Sequence, residues 1–178
     1  ALDPLREAYD AIKGDTDVLG VCTFEDNFPF VRELIARVKE DMPEIPIICG
    51  GSLVTSVPHI FMQHTQTDIA VISEGEITIL ELMERYHQGV WAQELKNIRG
   101  IWYRDPDGTV RATPPRGQMM DLDALPKMRL DLWPQYHSEM GLQPQIISSY
   151  SRGCKMDCSF CYRTCLLYTS PSPRDNRV

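Results

Sequence analysis

Long apolar runs are missing from this chain. No stretch of its 178 residues approaches the roughly 20 needed to cross a bilayer, so no membrane partner is expected. Positive charge is also short: 18 Lys+Arg stand against 25 Asp+Glu, a formal net charge of −7. That balance argues against nucleic acid as a partner, because non-specific binding needs a basic face to displace counterions from phosphates. The opening Ala1-Leu2-Asp3-Pro4 has neither an initiating Met nor a basic-then-apolar signal pattern. Six cysteines are few for a secreted disulfide scaffold of this size, and they are unevenly placed. These absences together point to a soluble, cytoplasmic chain cut at its front end. With 43% apolar residues recurring along most of the chain, disorder is excluded, and the length allows one domain or one plus part of a second.

What is present alternates. Asp3-Pro4 ahead of Leu5, Ala8, Tyr9 and Ile12 predicts a capped helix with one apolar stripe, closed by Gly14. The run Val18 to Thr23 suits a strand buried on both faces. Asn27 is placed to cap a second helix, with Phe28, Val31, Leu34, Ile35 and Val38 on one face. Ile45 to Cys49 predicts another buried strand ending at Gly50-Gly51. A short helix over Pro58 to His64 and a strand over Ile69 to Ile72 follow. A helix over Glu76 to Gln88 would turn Ile77, Leu80, Met83 and Tyr86 inward. Strands alternating with helices at this spacing mean a parallel sheet, since parallel strands need crossover connections. After Gly89 the pattern changes. Ile98–Tyr103 and Thr109–Ala112 flank Asp105-Pro106-Asp107-Gly108, a hairpin turn, and Pro114-Pro115, Pro126 and Pro134 mark an extended linker. The expected divisions are 1–95 for the α/β domain, 96–143 for hairpin and linker, 144–164 for the start of a further domain, and 165–178 for a tail.

Cys22 and Cys49 each sit in an apolar run and read as small buried hydrophobes. The other four cysteines crowd together. A strand over Gln145 to Ser149 leads into Cys154-x3-Cys158-x2-Cys161, three thiolates able to wrap one soft-metal centre. Structural zinc usually takes four ligands from two separated pairs. A three-cysteine loop instead suits a [4Fe–4S] cluster with one iron left open. Residues 165–175 read Cys-Leu-Leu-Tyr-Thr-Ser-Pro-Ser-Pro-Arg-Asp, which resembles the translation of a transposase sequencing adaptor. Cys165 to Val178 is therefore treated as a read-through scar and Cys165 is not expected to be a ligand.

With Arg152-Gly153 before the first cysteine and Phe160 before the third, the loop resembles the signature of radical S-adenosylmethionine (SAM) enzymes. The resemblance implies a [4Fe–4S] cluster on Cys154, Cys158 and Cys161 whose open iron chelates S-adenosylmethionine. It further implies Phe160 against the adenine and a 5′-deoxyadenosyl radical as product of one-electron cleavage. Upstream, Asp17-Val18-Leu19-Gly20 leading to Thr23, Pro46 to Gly51 with Pro58, and Asp68 to Glu76 resemble the cobalamin-binding domain that precedes the radical core in one large subclass. The linker pieces Gly100-Ile101-Trp102-Tyr103 and Asp121 to Pro126 are typical of it too.

The resemblance implies a Rossmann-like (flavodoxin-like) cobalamin-binding domain, incomplete at its N-terminus, then a linker and the start of a (β/α) partial barrel. In such a sheet ligands bind beyond the carboxyl ends of the strands, where Thr23, Gly50, Gly51, Ser73, Glu74 and Gly75 fall. Paired glycines let backbone approach a flat corrin or its nucleotide tail, although Gly50-Gly51 equally suits a tight strand-to-helix turn. Glu74 and Glu76 equally suit a helix N-terminus. The chain departs from the family in lacking the first strand and helix and an Asp-x-His-x-x-Gly loop, and in carrying Ser73 where glycine is usual. His59, His64 and His87 read as surface or core residues. The implied activity is radical chemistry such as methyl transfer on a small molecule or peptide, with a one-electron donor such as flavodoxin or ferredoxin as partner. A methylthiotransferase-like enzyme without cobalamin, and a zinc-stabilised binding module, remain as alternatives.

Overall fold

The computed structural model describes residues 3–117 and 121–126. The chain divides into two units, Ala1–Gly117 and Gln118–Val178. In the second, the described residues hold one 3-10 turn, Leu122–Ala124. The strand expected over 145–149, the cysteine loop of the expected further domain and the tail lie outside the described residues.

The first unit begins with α1 (Pro4–Ile12), whose Asp3 carboxylate accepts from the amides of Leu5 and Arg6, at 3.2 and 3.3 Å. That satisfies two of the donors a helix start leaves orphaned. Tyr9 and Ile12 turn inward, and the Tyr9 hydroxyl donates to the Asp41 carboxylate. Then come β1 (Leu19–Cys22), α2 (Phe28–Asp41), β2 (Ile47–Gly50), α3 (Ser52–Ser56), α4 (Pro58–His64), β3 (Ile69–Val71), α5 (Glu76–His87), α6 (Trp91–Glu94), β4 (Ile101–Arg104) and β5 (Val110–Ala112). The sheet order is β1-β2-β3-β4-β5. The first three strands are parallel, as expected, with Leu19 opposite Ile47 and Ile48 opposite Ile69.

Two apolar layers hold the sheet. On one side Val31, Leu34, Ile35 and Val38 of α2 pack with Tyr9, Ile47, Cys49, Phe61 and Ala70. Each large aliphatic side chain or phenylalanine buried this way contributes about 1.5–3 kcal/mol. On the other side Ile48, Ile69, Val71, Ile101 and Tyr103 meet Leu82, Leu95 and Ile98. No helix among the described residues is long and apolar enough to cross a membrane.

Several expectations shift. The hairpin expected beyond residue 95, ahead of the linker, joins the sheet of the first unit: β4 pairs antiparallel with β3, Ile69 opposite Tyr103 and Val71 opposite Ile101. The strand expected from Ile45 begins at Ile47. Pro46 has no N–H to give, the Ile45 amide turns back to Met42 O (3.2 Å), and the Ile45 carbonyl accepts from Lys39 Nζ (2.8 Å). Lys39 also pairs with Asp68 at 2.7 Å, and Asp68 accepts from the Ile47 amide at 2.7 Å, so one part-buried cation fixes where β2 and β3 start. Asn27 precedes α2 without capping it. Its amide side chain accepts from the Phe24 amide (2.8 Å) and donates to Cys22 O (3.1 Å), folding the loop back onto β1.

Helix α5 is rotated from expectation. Thr78 and Leu82 are buried, whereas Ile77 and Leu80 are 38% and 59% exposed. Arg116 explains the rotation: its Nε donates to the Thr78 hydroxyl (2.8 Å) and its two terminal nitrogens grip both Glu81 oxygens, at 3.1 and 2.6 Å. A bidentate ion pair of this kind fixes orientation as well as adding energy.

Candidate functional site

At the carboxyl ends of the parallel strands the structure opens a cleft of about 500 Å³. Its walls include Gly20 and Cys22 of β1, Ile48 and Gly50 of β2, Val71 of β3, and Ile79 and Met83 of α5. Gly51, Ser73 and Gly75 complete the rim. The volume lies within the range of small-molecule clefts, and the lining is apolar with backbone at the edges.

Why this cleft exists can be followed residue by residue. Helix α5 covers the sheet only over its inner strands, so the second face of β1 is left bare, and Gly20 and Cys22 are exposed along it. Cys22 was expected to be buried; alternation along β1 instead sends Leu19 and Val21 to the core layer and Cys22 to the open face. A Cβ built on Gly20 meets nothing within 4 Å, and one on Gly50 meets only Val71 O at 3.9 Å. Neither glycine is demanded by packing, yet both face the cleft. A glycine inside a strand weakens it, and often marks a place where a ligand or another backbone approaches closely.

Gly51 is different. At φ +104° its Cβ would lie 2.5 Å from Thr23 O and 2.9 Å from Thr23 N. The Thr23 amide donates to Gly50 O (2.8 Å) and the Leu53 amide to Thr23 O (3.3 Å). The β2–α3 loop therefore lies directly against the end of β1, and only glycine fits. Of the expected pair, Gly51 is required by the fold and Gly50 leaves room for a ligand.

Ser73 has φ +66°, the left-handed region where glycine is at ease, and its N–H donates to the Thr55 hydroxyl at 3.0 Å. A glycine would adopt that turn without strain. Gly50, Gly51, Ser73 and Gly75 thus meet at one cleft. Thr23 lies behind the Gly51 turn and does not line the cleft; its side chain is fully buried beside the Cys49 thiol. Glu74 is half-buried in the loop beside Ser73 and does not line the cleft. His59 lies against Trp102, His87 against Tyr86, and His64 beside a separate groove under α2, so none of them reaches the cleft. Cys154, Cys158, Cys161 and Phe160 lie outside the described residues.

Sequence reasoning missed Gly20, Cys22, Ile48, Val71, Ile79 and Met83 as cleft residues. Gly20 was discoverable: a glycine in the middle of an apolar strand run is the signal. Among the described lining residues the Cys22 thiol is the one ionisable side chain. Among the described residues no three His, Cys, Asp or Glu side chains gather as metal ligands. Among the described residues the cleft combines apolar side chains with backbone at its edges.

Comparison with known proteins gives this geometry a family. Residues 6–83, which hold every cleft residue, match the B12 binding domain. An uncharacterized methyltransferase of Pyrococcus horikoshii is 31% identical over 151 residues, 84% of this chain and 32% of that protein. An anaerobic magnesium-protoporphyrin IX monomethyl ester cyclase of Rubrivivax gelatinosus is 29% identical over 161 residues, 89% of this chain and 29% of that protein. The cobalamin-dependent radical SAM methyltransferase TokK of Streptomyces tokunonensis is 26% identical over 164 residues, 89% and 23% of the two chains. The chain thus spans about a third or less of these relatives. In fold it is similar to the radical SAM methyltransferase TsrM from Kitasatospora setae, solved with cobalamin and a [4Fe-4S] cluster bound. The TM-score is 0.50 over 70% of this chain and 21% of that one, at 19% identity. Residues 6–83 thus match the B12 binding domain, and the proteins that the chain resembles over most of its own length include a methyltransferase and a cobalamin-dependent radical SAM methyltransferase.

Proposed function

We propose that the cleft at the carboxyl edge of β1–β3 holds part of a cobalamin, and that the protein containing this chain is a radical SAM methyltransferase. The observation that carries the first part is the pair Gly20 and Gly50, two strand glycines whose missing side chains leave the cleft floor open and which no packing contact demands. The face of a corrin ring and the aromatic base of its nucleotide tail are flat and apolar, and a floor of bare backbone walled by Ile48, Val71, Ile79 and Met83 fits such a surface. Gly51 and the Ser73 turn would bring peptide groups to the rim, where they can meet amide or phosphate groups of the ligand.

When bound, cobalamin supplies a methyl carrier and a [4Fe–4S] cluster supplies the electron that activates S-adenosylmethionine. Cys154, Cys158 and Cys161 would ligate that cluster, leaving one iron free, and Phe160 would lie against the adenine. A flavodoxin- or ferredoxin-like donor would deliver the electron, and the methyl acceptor would be a small molecule or peptide. The cleft's own residues would orient the ligand, and the Cys22 thiol is the one proton-bearing ionisable side chain among the described lining residues.

The test is steric. Replacing Gly20 or Gly50 by Val adds a branched side chain that a strand accepts and the proposed ligand does not. Hydroxocobalamin should remain with the parent chain through gel filtration, read by its visible absorbance, and should be lost from G20V and G50V while thermal unfolding stays unchanged within a few degrees. Retention of cobalamin by both variants would exclude this cleft as its seat.

A further inference from the structure

Ser73 is the one non-glycine among the described residues with a left-handed backbone, at φ +66°. Such a conformation persists only where the surroundings hold it. Strand β3 ends just before it, with the Ile72 amide on Gly100 O (2.9 Å), and α5 starts just after it, with the Ile79 amide on Gly75 O (2.7 Å). The Ser73 amide itself reaches across to the Thr55 hydroxyl at 3.0 Å. Thr55 stands on α3, and its own amide donates to Gly51 O at 3.0 Å. One residue therefore grips both rims of the cleft: its N–H holds the Gly51 turn and its Oγ1 holds the Ser73 turn. Thr55 does not itself line the cleft.

We propose that Thr55 is a positioning residue for the ligand cleft, its hydroxyl fixing the β3–α5 loop in the left-handed turn that keeps the rim open. The identity of the ligand rests on the cobalamin reading above; the latch itself does not. A serine at position 73 makes the latch necessary, because glycine would take the same turn unaided.

The experiment is a double-mutant cycle on the full chain with Thr55→Val, Thr55→Ser, Ser73→Gly and Thr55→Val/Ser73→Gly. Hydrogen exchange of the Ser73 amide, hydroxocobalamin affinity and thermal unfolding are each read. Thr55→Val removes the acceptor at nearly constant shape, so the Ser73 amide should exchange faster and cobalamin should bind about five- to tenfold more weakly, the worth of one neutral hydrogen bond. Thr55→Ser should keep both near the parent, and Ser73→Gly in the Thr55→Val background should restore affinity. A merely structural hydroxyl would show the same loss in both backgrounds, and that result overturns the proposal. Unchanged exchange at Ser73 in Thr55→Val also overturns it. Should the parent chain take up no cobalamin, the functional reading fails, and exchange at Ser73 with the unfolding cycle decides the latch alone.

Discussion

Cys49 and Cys22 are 27 positions apart in the sequence and stand on neighbouring strands with opposite fates. Cys49 is fully buried, and burial pushes its thiol from the ordinary 9.0 up to about 12, against the pull of the Thr67 hydroxyl 3.4 Å away. Cys22 is exposed on the cleft side of β1. Iodoacetamide near neutral pH should therefore label Cys22 and leave Cys49 untouched until the chain unfolds, as peptide mass mapping would show. The pH consequence follows from linkage. A thiol that stays protonated in the fold but ionises near pH 9 in the unfolded chain contributes stability that is fully present below about 9 and lost as pH rises toward about 12. Urea unfolding across that window should fall more steeply for the parent than for Cys49→Val. The glycines separate in the same way. Gly51→Ala should cost roughly 2–4 kcal/mol because its Cβ would enter the Thr23 backbone, while Gly20→Ala should be neutral or stabilise by about 0.5–1 kcal/mol. In sequence Gly50 and Gly51 are a matched pair; only the φ of +104° and the closeness of Thr23 assign one to the fold and one to the cleft.

At the scale of elements, α1, α2 and the three parallel strands were legible because each is a local pattern: a stripe at helical spacing, or a short continuous apolar run between breakers. The rotation of α5 was not. Ile77, Leu80, Met83 and Tyr86 form an acceptable stripe, and the residues that overrule it, Thr78 and Glu81, do so through Arg116, 35 or more positions away. The prediction is sharp. Leu82→Ala should cost about 2–5 kcal/mol, and Leu80→Ala should stay within about 0.5 kcal/mol, both by denaturant unfolding. The addition of β4 and β5 to the sheet was hidden for a similar reason: the Asp105–Gly108 turn announces a hairpin but not which strand receives it. Helix α3 went unseen because Ser52–Ser56 is a single short turn set by the Gly51 loop.

For the molecule as a whole, the candidate site divides into two parts of unequal legibility. Three cysteines at fixed spacing are a chemical statement in themselves, whereas the cleft shows only as strand-end glycines until the sheet gathers them. For the cluster, iron and sulfide analysis after anaerobic reconstitution should show that Ala at Cys154, Cys158 or Cys161 abolishes stable loading, while Cys165→Ala leaves it intact. Equal loss from Cys165→Ala would replace the three-cysteine centre with a four-thiolate site. The central claim concerns the cleft, and Cys22 is a reporter already placed on its wall. Peptide-resolved alkylation of Cys22 in the parent chain, with and without saturating methylcobalamin in the dark, tests it most directly. Labelling of Cys22 should slow markedly when the cofactor is present and recover in Gly50→Val, whose side chain would exclude the ligand. Labelling at the same rate with and without methylcobalamin would contradict the assignment of this cleft as the cobalamin seat.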